Sequence, residues 1–155
     1  MSQEVIKKLE WGSTFKLVIF SIISLGIYVA YYIARQTKVL NEVLPEEKKI
    51  NQALIKAIFI FAYVGIVSIV LVFFIPEENP LIKILDAVDR VFGFLLLYWS
   101  FVVRERMNKD LLESQKGSPT WFNGIATFFF SPFYINYKVN TLNENSRVIT
   151  QNAQS

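Results

Sequence analysis

A run of 19 residues, 57–75, contains neither a charged residue nor a proline, and it constrains the fold more than any other feature of the chain. As a helix rising about 1.5 Å per residue, it would nearly cover the roughly 30 Å hydrocarbon core of a bilayer. Composition agrees, because 53% of the residues are hydrophobic and 19% are charged, whereas about a quarter of the residues in a soluble domain are charged. We therefore predict an all-α integral membrane protein.

Three further hydrophobic segments accompany this run, so that the four lie near residues 17–34, 57–75, 81–103 and 121–137. The third of them spans a bilayer only if its charged first part, 81–90, joins the apolar remainder in one helix. We expect residues 1–140 to form a single membrane domain. Residues 141–155 are polar and without periodicity, which predicts a flexible tail.

Prolines mark the predicted ends of the two central helices. Pro45 is followed by two glutamates, which is typical of a first helical turn and predicts that the helix through 57–75 begins there. Pro76 ends that helix, and Asn79 is placed to cap the next one with Pro80 in its first turn. The two helices are therefore expected to form a central hairpin joined by a short acidic turn.

The distribution of basic residues leaves two topologies open. Thirteen of the 16 Lys and Arg residues lie in the termini and the connections, and none lies in the turn 76–80. If all four segments cross, five of the thirteen fall on the side of that turn and eight on the other. If only the central hairpin crosses and segments 17–34 and 121–137 are broken or re-entrant, all thirteen fall on the cytoplasmic side, which satisfies the positive-inside rule better. Irregular backbone at membrane depth is tolerated only inside protein or beside water, so four ordinary crossings remain the alternative.

The chain has no histidine and no cysteine. This excludes imidazole-dependent catalysis, thiolate nucleophiles, disulfides and the commonest metal sites. The acidic residues are scattered, and neither a phosphate-binding glycine loop nor a nucleophile elbow is present. We expect a protein that is not an enzyme, with no catalytic, cofactor-binding or metal-binding residues.

Segments 17–34 and 121–137 share a local pattern. When Tyr28 is aligned with Tyr134, Tyr31 aligns with Tyr137, and a Leu-Asn-Glu sequence follows in both copies, one helical turn earlier in the second. Segment 81–103 contains part of the same pattern, an aromatic pair followed by asparagine. Any transmembrane helix has a similar residue pattern where it passes through the headgroup layer. The pattern therefore indicates either an internal repeat or only the usual composition of helix ends at the membrane interface. The residues assigned to the repeat and to interface anchoring are Gly26, Tyr28, Tyr31, Tyr32, Tyr98, Trp99, Trp121, Pro132, Tyr134 and Tyr137.

The stretch from Ser21 to Asn41 resembles a family of small prokaryotic membrane proteins of unknown function. Their motif is Ser-x-x-Thr-Leu-Gly-Ile-Tyr-x-x-Tyr-Trp followed by Leu-Asn, and here Ser24 stands for the Thr and Tyr32 for the Trp. The match covers about one-seventh of the chain. It implies a multi-pass protein with short helices in a prokaryotic inner or plasma membrane, and it brings no known activity, substrate or catalytic residue.

Four charged residues open segment 81–103: Lys83, Asp86, Asp89 and Arg90. On a helix they group along one side and their charges sum to zero. Ionisable residues inside a membrane usually serve a function, such as an ion path or a polar seam against a partner helix. The alternative is an amphipathic entry turn at the interface with solvated charges.

We interpret the chain as a non-enzymatic accessory, scaffold or assembly protein that acts through helix–helix and lipid contacts. The alternative is a small oligomeric transporter or channel that uses Asp86, Asp89 and Arg90. The net charge of +3 favours anionic lipid headgroups as a partner, and the lack of a long basic stripe argues against nucleic acid. A membrane-protein partner or a second copy would complete the helix contacts.

Overall fold

The computed structural model describes residues 2–76 and 78–152, and over these residues the fold is all-α, as predicted. Its helices are α1 (Ser2–Leu9), α2 (Thr14–Ile23), α3 (Ile27–Val43), α4 (Gln52–Val72), α5 (Pro80–Glu105) and α6 (Gly124–Asn152). A single 3-10 turn, Glu46–Lys48, precedes α4, and a π-helical turn, Arg106–Leu111, extends α5.

The two central helices pack against each other along their length. The Asn79 side chain accepts the Leu81 N–H at 3.0 Å, and Pro80 is the first residue of α5, so the predicted cap is confirmed. Helix α5 has 26 residues, which means that the charged 81–90 and the apolar 91–103 form one helix. Among the described residues, one stretch, Glu46–Val72, which contains α4, is long and apolar enough to span a membrane, judged by length and composition.

The prediction that the first central helix begins at Pro45 is wrong. The chain makes a 3-10 turn, passes through extended backbone at Lys49, and starts α4 only after Asn51, whose side chain accepts the Ala53 N–H. A tertiary contact causes the interruption, because the Asn41 side chain holds both the N–H and the carbonyl of Ile50 at 2.8 and 2.9 Å. Ile50 is buried, and its N–H and carbonyl are bound by Asn41 instead of by helical partners.

Segments 17–34 and 121–137 both break near the middle and fold back. Leu25 and Ser131 have positive φ angles of 51° and 45°, and they occupy equivalent positions when Tyr28 is aligned with Tyr134. Chain reversal follows each break: the Phe20 and Tyr28 rings lie 5.3 Å apart across the first. Across the second, the Tyr134 hydroxyl accepts the Asn123 N–H at 2.8 Å.

Gly26 makes the first of these breaks possible. Its φ is +92°, and a methyl group placed on its Cα would lie 2.8 Å from the ring of Phe92 in α5. Glycine relieves both the backbone strain and the steric conflict. The first reversal is therefore docked directly on α5.

Residues 141–152 of the polar end continue α6 as helix. Helix α6 continues through Asn152, while residues 153–155 lie outside the described part. Asn143 donates to the Ile6 carbonyl at 3.1 Å, and Arg147 donates to the Glu10 carboxylate at 2.7 Å. These partners lie more than 130 residues earlier, so no local pattern reveals them.

The hydrophobic core lies at one end of the α4–α5 pair. Its largest fully buried side chains include Trp99 of α5, Tyr32 of α3 and Phe122 of the loop before α6. The opposite end of the pair carries exposed apolar side chains such as Phe73 and Phe74. The molecule thus has a packed end and a long apolar projection.

Candidate functional site

The charged residues of α5 lie on an exposed face of the helix. Lys83, Asp86, Asp89 and Arg90 are all exposed, and in the described part of the chain no ion pair or hydrogen bond engages them. Lys83, Asp86, Arg90 and Gly93 follow one another at intervals of three, four and three residues. A methyl group placed on Gly93 would have no neighbour within 4 Å among the described residues. These four positions form one strip along the helix, which we call the α5 strip.

The level of Asp89 along the projection is fixed by α4. A methyl group on Gly65 would lie 3.5 Å from Asp89 Oδ1, and Gly65 is near the centre of the uncharged run 57–75. The carboxylate is therefore level with the middle of the apolar run, seven residues or about 10 Å from the end of α4. The charges do not cluster at the turn that joins the two helices.

Two of the predicted interface anchors are core residues instead. Tyr32 and Trp99 are fully buried with their rings 6.1 Å apart in an edge-to-face arrangement, and the Trp99 indole donates to Thr37 Oγ1 at 2.8 Å. Their neighbours Tyr31 and Tyr98 are exposed. An aromatic pair on a helix points its two rings about 100° apart, so one ring can enter the core while the other faces outward.

The basic residue that follows each aromatic pair binds a neighbouring main chain. Arg35 donates to the Lys8 carbonyl at 2.9 Å, and Arg104 Nε donates to the Phe122 carbonyl at 3.0 Å. Lys138, whose pKa is lowered by partial burial, donates to the Pro119 carbonyl at 2.6 Å. These residues connect helices to loops rather than simply facing solvent.

The asparagines of the pattern act in the same way. Asn108 donates to the Phe122 carbonyl at 3.0 Å and accepts the Phe122 N–H at 2.8 Å. This repeats the two-point contact of Asn41 with Ile50, and Asn143 makes a single contact with Ile6. The sequence pattern singled out the asparagines, but their role as clamps on connecting segments required the tertiary structure.

Trp121 and Arg104 form the most distinctive surface at the packed end. The guanidinium lies 5.4 Å from the Trp121 ring centre and 5.9 Å from that of Phe101. Two open grooves of about 490 and 540 Å³ flank this stack. On the first groove, Lys109 donates to Glu105 at 2.8 Å, and this hydrogen bond lowers the pKa of that carboxyl.

The remaining predicted residues fall near the two chain reversals. Tyr28 packs on Trp11 with ring centres 6.0 Å apart, and Tyr134 packs on Phe122 at 6.3 Å. Tyr137 is exposed, and Pro132 directly follows the break at Ser131. Within the described ranges, no group of three His, Cys, Asp or Glu side chains is placed to hold a metal ion.

Comparison with known proteins yields one match. No curated protein and no solved structure matches the chain. A family described as a domain of unknown function, DUF4234, matches residues 12–144. This range contains all four hydrophobic segments and both chain reversals, and the chain belongs to the DUF4234 family.

Proposed function

We propose that this protein is an integral membrane protein with a non-enzymatic, assembly role, acting through helix–helix contacts and lipid contacts. The observation that carries the proposal is that the charged side chains of the α5 strip, and Asp89 beside it, are exposed and make no ion pair or hydrogen bond among the described residues, with Asp89 and Arg90 level with the middle of an apolar run. In a bilayer such groups need a partner, since ionisable residues among lipid tails pair with one another or face water. A partner helix on this strip meets that requirement.

The proposed topology has only α4 and α5 crossing the membrane, with segments 17–34 and 121–137 entering and returning. Two features support it. Both segments reverse at a left-handed residue, and α1 packs on α3 and on α6. The N-terminal arm, the C-terminal helix and the loops held by Asn41 and Asn108 then lie on one side, together with the basic connections, as the positive-inside rule favours.

The partner that fits the α5 strip best is a second copy of the same chain. The α5 strip carries both signs, through Asp86 and through Lys83 and Arg90, and Asp89 at its edge lies at nearly the same depth as Arg90. A two-fold axis along the membrane normal therefore sets Asp89 of each copy against Arg90 of the other. The spacing of Lys83, Asp86, Arg90 and Gly93 is that of a helix-pair seam, and a small residue permits close approach.

Assembly is favoured over conduction by the direction of the charged face. A transport path within one chain would need these groups to converge between its own helices. Lys83, Asp86 and Arg90 lie instead on the outer side of α5, away from the core residue Trp99, and Asp89 lies at the edge of that side, beside Gly65 of α4. A conducting oligomer would place them between copies, so self-association is the first property to measure.

Disulfide formation between copies tests the proposal. The chain has no native cysteine, so Gly93→Cys reports without background. In native membranes under mild oxidation, we expect Gly93→Cys to yield a cross-linked dimer. The matched control is Val91→Cys, which is exposed on the same helix but lies about 160° around it and should stay monomeric. Equal cross-linking of both variants, or of neither, would contradict the proposed interface.

A further inference from the structure

The groove of about 540 Å³ beside Trp121 combines cationic and apolar walls. It is lined at its charged edge by Arg104 and Lys116 and elsewhere by the aromatic side chains Phe101, Trp121, Phe128 and Phe129. Phe128 and Phe129 belong to the apolar first part of α6 and are 56% and 71% exposed. A ligand for this groove must therefore present an anionic group and an apolar chain.

Arg104 is held in a fixed position with part of its hydrogen-bonding capacity free. The Arg104 guanidinium lies over the rings of Trp121 and Phe101, and its Nε donates to the Phe122 carbonyl. These contacts fix the guanidinium plane. Within residues 2–76 and 78–152, no protein acceptor takes its terminal Nη groups. A guanidinium presented in this way binds phosphate oxygens with two donors at once.

The charge of the groove is not neutralised by the neighbouring acidic residues. Glu105 pairs with Lys109 at 2.8 Å, and Asp110 pairs with Arg106 at 3.3 Å. Lys116 is exposed and has no hydrogen-bond partner in the described part of the chain. Arg104 and Lys116 thus offer two positive charges at one edge of the aromatic wall.

We propose that this groove binds a phospholipid with an anionic headgroup, with the phosphate at Arg104 and Lys116 and an acyl chain along Phe128 and Phe129. Basic pockets beside membrane helices recognise anionic headgroups in this way. A free phosphate would satisfy only the charged edge and would leave the aromatic wall exposed. The proposal rests on the membrane topology proposed above, but not on the dimer.

Native mass spectrometry of the full-length protein tests the proposal. The protein is released from nanodiscs that contain equal amounts of phosphatidylglycerol and phosphatidylcholine, and the retained lipids are counted. We expect wild type to retain phosphatidylglycerol preferentially. Lys116→Gln, which removes no hydrogen bond or ion pair between described residues, should reduce that preference about five-fold, since one surface cation contributes about 1 kcal/mol toward an anionic membrane.

Further variants test the cationic wall and the aromatic wall of the groove separately. Arg104→Gln should abolish the preference, whereas Phe129→Ser should lower retention of both lipids. Because Arg104→Gln also removes the Nε contact with the Phe122 carbonyl, gel filtration checks the fold of this variant. If it misfolds, Lys116→Gln decides the question. Lys7→Gln removes the same charge from α1 and should leave the preference unchanged.

Three results would overturn the proposal. They are an unchanged preference in Lys116→Gln, an equal loss in Lys7→Gln, and displacement of the retained lipid by millimolar inorganic phosphate, which would indicate a site for free anions. Cross-linking through Gly93→Cys, measured in the Lys116→Gln background, should not change. Failure of the lipid site is therefore distinguishable from failure of the dimer.

Discussion

The Gln36 side-chain amide donates a buried hydrogen bond of 2.8 Å to the Leu9 carbonyl, 27 residues earlier in the chain. This contact fixes the end of α1 against the second half of α3, and Asn41 clamps Ile50 only one turn further along. A segment that crossed the membrane between Trp11 and Arg35 would separate these parts. The contact is therefore the clearest structural support for a segment that enters and returns.

Gly26→Ala should destabilise the protein strongly. Alanine at φ +92° costs about 1–2 kcal/mol, and its methyl group would meet the Phe92 ring at 2.8 Å, which adds about 1–3 kcal/mol of overpacking. We expect a fall of at least about 2 kcal/mol in unfolding free energy, measured by denaturant titration in detergent.

Gly12→Ala is the matched control for this prediction. Gly12 also has a positive φ, of +112°, but no neighbour lies within 4 Å of an added methyl group. It should therefore lose only the backbone component, about 1–2 kcal/mol. If the two variants lost equal stability, the docking of the first reversal on Phe92 would be wrong.

Asn108→Ala should loosen the loop before α6. It leaves the N–H and the carbonyl of Phe122 without their side-chain partner, although Arg104 still reaches the carbonyl. A buried group left unsatisfied costs about 1–3 kcal/mol. Hydrogen exchange at 119–124 should accelerate, while Asn145→Ala, at an exposed position, should leave it unchanged. Equal exchange in both would show that the asparagine clamp contributes nothing.

Exchanging two charges tests the geometry of the α5 strip. In the Gly93→Cys background, Arg90→Gln should reduce cross-linking, because it strands the acidic side chains at the interface. The exchange Asp89→Arg with Arg90→Asp should recover most of it, since a two-fold axis again sets opposite charges at one depth. A swap variant that cross-links no better than Arg90→Gln would refute the proposed pairing.

Sequence patterns predicted the parts of this fold that depend on local chemistry. The all-α class and the Asn79–Pro80 cap follow from periodicity and from residues adjacent in the chain. The start of α4 does not, because a side chain nine residues away stops the helix at Ile50. The helical end of α6 depends on Glu10 and Ile6, and a single sequence carries no signal that identifies partners so distant.

The residues of the candidate sites also differ in how far the sequence alone identifies them. Lys83, Asp86, Asp89 and Arg90 stand out in the sequence because charges are rare in an apolar context. An aromatic residue at a helix end fits either a membrane interface or a core, so the sequence does not identify Tyr32 and Trp99 as core residues. The Arg104–Trp121 stack joins residues from α5 and a loop, and only the tertiary fold brings them together.

Labelling of single cysteines in intact cells tests the proposed topology most directly. Each region offers an exposed position whose side chain makes no hydrogen bond or ion pair among the described residues, and the substitutions are Ser13→Cys, Glu47→Cys, Glu78→Cys, Gln115→Cys and Glu144→Cys. With a membrane-impermeant thiol reagent, we expect labelling at position 78 alone, because the proposed topology puts both termini and both basic connections on the cytoplasmic side. Labelling at positions 13 and 144 in addition to 78 would contradict it and would establish four ordinary crossings.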